Sequence, residues 1–305
     1  YTTLFRSGLL LVVPIGALVA SFSRRLREVV FVAMVFSTAF VRAMDVNFMH
    51  RLWYRAMTEG IQFSYVDFLA WILLLSTLLS LTREGRRLFW PPGLGLVLAF
   101  TGYAAFTVLA FNPKIFGVFQ LVVLLRGLLV FLAAAWFYRS PRDIYLLLIA
   151  VCGILVYEGG LSIIQRYIWH DMRVAGTMPH PNFLADCCSM LVPLALAMAF
   201  SQSHPYFRAL CAAAWLLGGI AVVLSISRMG AMLFAVGTAG VLLSNLRVGF
   251  SAKHIGLTVL LGLAGVGMLL RGYDLIIGRH VAMTRIEEQG NRGAGRSVYY
   301  EMGWD

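Results

Sequence analysis

Apolar runs of membrane-crossing length recur along the chain, separated by short polar breaks. A spanning helix needs roughly 17 to 25 mostly apolar residues. Ten stretches approach that length, several of them short: about 4–22, 29–44, 66–82, 93–111, 117–137, 144–165, 183–200, 208–226, 229–243 and 255–270. The pattern predicts an all-α, polytopic transmembrane helix bundle over residues 1–270. From Arg271 the character changes. Arg271, Arg279, Arg285, Arg292 and Arg296 alternate with Glu287, Glu288 and Glu301 and with glycines at 290, 293 and 295. This segment, 271–305, reads as the beginning of a large extramembrane loop. Glu287 and Glu288 are carboxylates by type, but nothing in their spacing separates them from surface acids. There is no internal repeat, low-complexity tract, heptad pattern or Gly-x-x-x-x-Gly-Lys phosphate loop.

Composition agrees with the pattern. Of 305 residues 60% are hydrophobic and only 13% charged, about half the charged share of a soluble domain, and the mean hydropathy is +0.81. The net charge of +11 would suggest nucleic acid in a soluble protein. Here the cations sit in clusters between apolar runs, so topology and lipid headgroups explain them and no nucleic-acid partner is expected. Cys152, Cys187, Cys188 and Cys211 all lie in apolar segments, with neither metal spacing nor a disulfide framework. The chain begins at Tyr1 rather than Met and stops at Asp305 inside a polar stretch, so a fragment lacking both ends is expected.

Charge also orients the runs. If the spans alternate, Arg24, Arg25, Arg27, Arg83, Arg86, Arg87, Arg139, Arg142, Arg208, Arg247 and Lys253 fall on one side. The opposite side collects Arg6, Arg42, Arg51, Arg55, Lys114, Arg166, Arg173 and Arg228. The positive-inside rule makes the side with eleven cations cytoplasmic. The outer side then receives the loop 45–65, the loop Arg173–Asn182, Arg228 and the tail from Arg271. Trp53, Tyr54, Tyr65, Tyr167 and Trp169 fall near these edges as interfacial anchors.

Three places hold chemistry that a lipid-facing helix would not. The first is Arg173-Val-Ala-Gly-Thr-Met-Pro-His-Pro-Asn182, which runs straight into the apolar stretch 183–200. Pro181 biases His180 away from helical angles, so a helix should start after the Pro-Asn pair with Asn182 as its cap. A cation beside a helix N-terminus can receive a phosphate; the plainer reading is a stiff turn that starts a helix. The second is the pair Arg126 and Glu158, each inside an apolar run. At 1.5 Å per residue they lie roughly 13 Å and 8 Å below the outer end. Charges at that depth need a partner or a wet cavity, so they are expected to pair if their helices adjoin, or to line a cavity open to the outside. Gly159 and Gly160 beside Glu158 would admit a close neighbour. The third is Ser225-Ile-Ser-Arg-Met-Gly230, which places Arg228 at the membrane surface. It is either an ordinary snorkelling arginine or a fixed cation for a diphosphate.

Taken together, Arg173…Gly176…Pro181-Asn182 before a helix, Ser227-Arg228-x-Gly230 opening another, and an Arg-rich loop with Gly295-Arg296…Trp304 resemble the O-antigen ligase and polymerase superfamily. These are bacterial inner-membrane proteins with about a dozen spans and one large periplasmic loop. The likeness covers Arg173 to Asp305 by motif and the earlier spans by general pattern. It implies a glycosyltransferase that takes glycan from an undecaprenyl-diphosphate-linked donor. The acceptor would be lipid A core, another lipid-linked glycan or a protein, with membrane lipids around the site. The resemblance also implies metal-independent chemistry without a cofactor. Arg173, Arg228 and, more loosely, Arg296 would grip the diphosphate, within a loop shaped by Gly176, His180, Pro181 and Asn182. The family's catalytic histidine belongs to the later part of the large loop, beyond Asp305. It matches neither His180 nor His280, so the chain as it stands is expected to be inactive. The competing expectations are a transporter or flippase, with Arg126 and Glu158 as coupling sites, and a non-enzymatic scaffold. A transporter would usually show internal repeats and broken helices, and the sequence shows neither.

Overall fold

The computed structural model describes residues 2–40, 46–50, 60–85, 88–110, 114–201 and 204–246, with a few helical positions between 256 and 267. The apolar runs are helices: α1 (Thr2–Phe22), α2 (Arg24–Ser37), α3 (Tyr65–Arg83), α4 (Leu94–Ala110), α5 (Lys114–Phe137), α6 (Pro141–Tyr167), α7 (Pro181–Ala199), α8 (Pro205–Leu224) and α9 (Arg228–Leu246). The loop expected at 45–65 contains a short antiparallel hairpin, β1 (Val46–His50) with β2 (Gly60–Phe63). Among the described residues five helices are long and apolar enough to cross a membrane: α3, α5 from Gly117, α6, α7 and α8. At 14 residues α2 is shorter, about 21 Å long against a hydrocarbon core of about 30 Å, and α4 has 17 residues. The run expected at 255–270 and the tail 271–305 lie almost wholly outside the described residues.

Local chemistry sets the helix ends. Ser23 caps α2 by accepting from the Leu26 amide at 3.4 Å. The buried Arg27 reaches back to the Ser21 carbonyl at 2.9 Å, placing a cation on the C-terminal end of α1 where the helix dipole favours it. At α3 the Asp67 carboxylate accepts from the Ser64 amide at 2.6 Å and the Ser64 hydroxyl at 3.0 Å, as in a capping box. Proline stands at the first position of both α7 and α8, where its missing N–H has no helical partner to lose.

The chain forms two compact units, Tyr1–Ile154 and Leu155–Asp305, with the boundary inside α6. In the first unit α3 packs against α1, α2 and α5. Its core joins Phe31, Met34, Leu73, Leu74, Leu129 and Phe137, with Phe31 and Phe137 stacked at 4.6 Å. One end of this unit is ionic. Arg24 meets Asp143 at 2.8 Å and Glu28 at 3.3 Å, and Arg139 meets Glu84 at 3.1 Å. Arg83 lies over the Phe22 ring at 4.5 Å. The basic clusters after the first, third and fifth runs therefore gather at one end, as alternating spans require.

In the second unit α7 packs against both α8 and α9. Small residues let the helices close up. A Cβ on Gly159 would stand 2.5 Å from the Leu217 carbonyl oxygen, one on Gly230 2.5 Å from Ala185, and one on Gly237 2.7 Å from Pro193. Such close approach is how helices associate where lipid competes equally for apolar surface. Gly160 has open space around its Cβ position, so of the Gly159–Gly160 pair only Gly159 serves this purpose. Trp215 is buried against Phe234 at 6.0 Å, and its indole N–H reaches the Thr238 hydroxyl at 3.3 Å.

Candidate functional site

The loop between α6 and α7 folds back over the end of its own helix. Glu158, 0% exposed, accepts from the Thr177 amide at 3.1 Å and from the Thr177 hydroxyl. Two turns further along α6, Gln165 accepts from the Gly176 amide at 2.8 Å and the Ala175 amide at 3.2 Å. Its own amide donates to the Gly176 carbonyl at 2.9 Å. Glu158, Ser162 and Gln165 recur at i, i+4 and i+7, so they lie along one helical face. All three are buried, and the Ser162 hydroxyl has no hydrogen-bond partner among the described residues. Gly176 turns with φ +60, where a Cβ would fall 2.0 Å from Glu158 Oε2. Glycine is required there on both counts. Val174 and Met178 are buried beneath the loop.

Arg173 is thereby fixed. Its Nε donates to the Ser225 carbonyl at 2.9 Å, and its Nη2 donates to the Asn182 side-chain oxygen. One guanidinium thus ties the turn between α8 and α9 to the start of α7. The Val174 amide adds a bond to the Leu224 carbonyl at 3.4 Å. In the turn, Ile226 is buried with φ +53. A β-branched residue held in left-handed backbone is strained, and such strain concentrates at functional sites. Ser227 receives the Gly230 amide at 3.3 Å on its hydroxyl, and Arg228, exposed, opens α9. Arg173, Asn182 and Arg228 therefore share one end of the second unit, with two helix N-termini beside them. The donors there suit an anion.

One expectation is corrected. The cap of α7 is His180, in extended backbone (φ −150, ψ 144), whose Nδ1 accepts from the Asn182 amide at 3.1 Å. With Pro181 as the first helical residue, Asn182 lies inside the helix and its side chain serves Arg173 instead. Of the expected pair Arg126 and Glu158, each has partners within its own unit. Arg126 Nε lies 2.7 Å from Asp67 Oδ2, and its Nη2 donates to the Ser64 hydroxyl at 3.0 Å. Asp67 already stands at the positive end of α3, while Glu158 is occupied by Thr177. Asp67 and Gln165 were missed from the sequence. The Ser64-x-x-Asp67 spacing was a legible signal for the first, and the i, i+7 relation to Glu158 for the second.

Arg296, Glu287, Glu288 and His280 lie outside the described residues, as do Trp53 and Tyr54. Tyr65, Tyr167 and Trp169 are exposed, as interfacial anchors would be. Among the described residues no group of three or more His, Cys, Asp and Glu side chains gathers. Comparison with family models, curated proteins and solved structures found no match.

Proposed function

We propose that the chain belongs to a membrane glycosyltransferase of the O-antigen ligase and polymerase kind, acting on an undecaprenyl-diphosphate-linked glycan at the outer surface of a bacterial inner membrane. On this reading ten spans carry the site, and the tail from Arg271 opens a periplasmic loop. The observation that carries the reading is the bond of Arg173 to both Asn182 and the Ser225 carbonyl, which draws the two separate sequence motifs to one end of the unit. The acceptor hydroxyl oxygen attacks the anomeric carbon as the bond from that carbon to the diphosphate oxygen breaks. Undecaprenyl diphosphate departs with the bonding electrons, and the hydroxyl proton passes to a base, which the family resemblance puts beyond Asp305. Arg173 and Arg228 stabilise the charge that develops on the leaving diphosphate. Removing one preorganised donor of this sort typically lowers kcat about 100- to 1,000-fold.

The test uses the full-length protein in a strain lacking its own ligase, with surface polysaccharide resolved on a gel. Long glycan on lipid A core is the expected result for a ligase; for a polymerase it is extension of the lipid-linked glycan. Arg228→Ala is expected to abolish either product at unchanged membrane level. Full product from Arg228→Ala would remove the assigned role. A second reading, a transporter or flippase, draws on the Arg126–Asp67 pair, since ionisable pairs within membrane helices often mark substrate paths. It requires lipid-linked glycan to cross the bilayer in a flipping assay.

A further inference from the structure

We propose that the ionic end of the first unit binds one anionic glycerophospholipid, with an acyl chain in a crevice between α5 and α6 and the headgroup phosphate among the arginines above it. This site stands apart from the glycan-transfer reading and does not rest on it. The crevice holds about 260 Å³, and every residue lining it belongs to the first unit. Ala134 and Ala135, near the end of α5, leave the space, and the buried Phe31 and Phe137 close it on the core side. Ile144 and Leu147, in the first two turns of α6, line it and are exposed, so it opens away from the core toward lipid. Along α5 it runs from Phe131 to Tyr138, about 10 Å of helix.

The lining and the charge above it select the occupant. Among the described residues Asp143 is the only charged side chain that lines the crevice, and its oxygens are taken. Oδ1 meets Arg24 at 2.8 Å, and Oδ2 accepts from the Arg139 and Ser140 amides at 2.8 and 3.0 Å. Water finds few partners in such a space. Pockets for drug-sized ligands are larger, roughly 300–1,000 Å³, so a single hydrocarbon chain suits this one better. The crevice also starts directly beneath the cations. Among the described residues Arg24, Arg25, Arg27, Arg83, Arg139 and Arg142 gather at this end against Glu28, Glu84 and Asp143, six positive groups to three negative. Arg24, Arg139 and Arg142 keep their carboxylate partners. The attraction therefore comes from the surplus of positive charge and needs no unpaired guanidinium. Arg25 and Arg142 are exposed, and Arg142 stands at the rim, next to Asp143. Basic clusters at the membrane surface draw anionic headgroups. A zwitterionic lipid would fill the crevice equally and gain nothing from the surplus. Inorganic phosphate would meet the cations and leave the crevice empty.

The test places the full-length protein in phosphatidylcholine nanodiscs with a trace of phosphatidylglycerol that carries a diazirine in the upper part of one acyl chain. Adducts formed on illumination are mapped by mass spectrometry. They are expected to concentrate on residues 131–147, and unlabelled phosphatidylglycerol is expected to displace them at a mole fraction where phosphatidylethanolamine does not. Arg25→Gln and Arg142→Gln are each expected to raise the phosphatidylglycerol required about fivefold, the usual worth of one surface cation. Ala135→Phe fills the crevice and is expected to remove these adducts, while unchanged labelling of the exposed Leu96 and Phe106 on α4 reports folded protein. Adducts as dense on α4 as on 131–147, or equal displacement by phosphatidylethanolamine, would overturn the proposal. So would wild-type displacement in both arginine variants, or adducts that persist in Ala135→Phe. If Ala135→Phe does not fold, the wild-type adducts and the arginine variants decide the matter.

Discussion

At Gly176 the loop turns through left-handed backbone directly over the Glu158 carboxylate, with no room for a side chain. Gly176→Ala is expected to lower stability by about 1–2 kcal/mol from backbone strain alone, and further through the clash. Denaturation in mild detergent measures it, and a wild-type midpoint would contradict the described loop. The Arg126–Asp67 pair gives a second residue-scale expectation. Arg126→Met strands a buried carboxylate and should cost about 3–5 kcal/mol, whereas Asp67→Asn combined with Arg126→Met should recover most of that loss. If the double variant were as unstable as the single one, the pairing would be wrong. Sequence alone marked Arg126 and Glu158 as residues needing partners, and offered each other or a wet cavity. The partner of Arg126 was readable in the capping spacing at Ser64 and Asp67. The partner of Glu158 was not, because a loop that folds back on its own helix has no periodicity.

At the level of elements, hydrophobic runs predicted helices well, since a backbone in lipid must satisfy its own hydrogen bonds. The helix ends were less legible. The cap of α7 moved from Asn182 back to His180, and its start from residue 183 to Pro181, because proline favours the first helical position and histidine could supply the capping acceptor. Small residues were legible as a class but not one by one. Gly159 lies against the Leu217 backbone and Gly160 faces open space. Gly159→Leu should therefore force α6 away from α8 and sharply reduce folded protein, whereas Gly160→Ala should be tolerated. Size-exclusion profiles of the two variants in detergent measure this directly, and equal profiles would contradict the packing.

For the whole molecule, the division at Ile154 was invisible in the hydrophobic pattern, which runs on through α6 without a break. The one-sided gathering of cations was legible. It reappears as the ionic end of the first unit, where Arg24, Asp143, Arg139 and Glu84 interlock. If that end is cytoplasmic, cysteines introduced as Arg25→Cys and Arg142→Cys should react with an impermeant maleimide only after permeabilisation. Trp169→Cys should react in intact spheroplasts, and the reverse pattern would invert the topology. The central claim is that Arg173 and Arg228 hold the diphosphate of a lipid-linked glycan while its sugar is transferred. It is tested most directly by release of undecaprenyl diphosphate from that donor by the purified full-length protein in proteoliposomes with acceptor present. The account predicts release by wild type and a loss of at least 100-fold in Arg173→Ala and Arg228→Ala. Release that proceeds at the wild-type rate in both variants would contradict it.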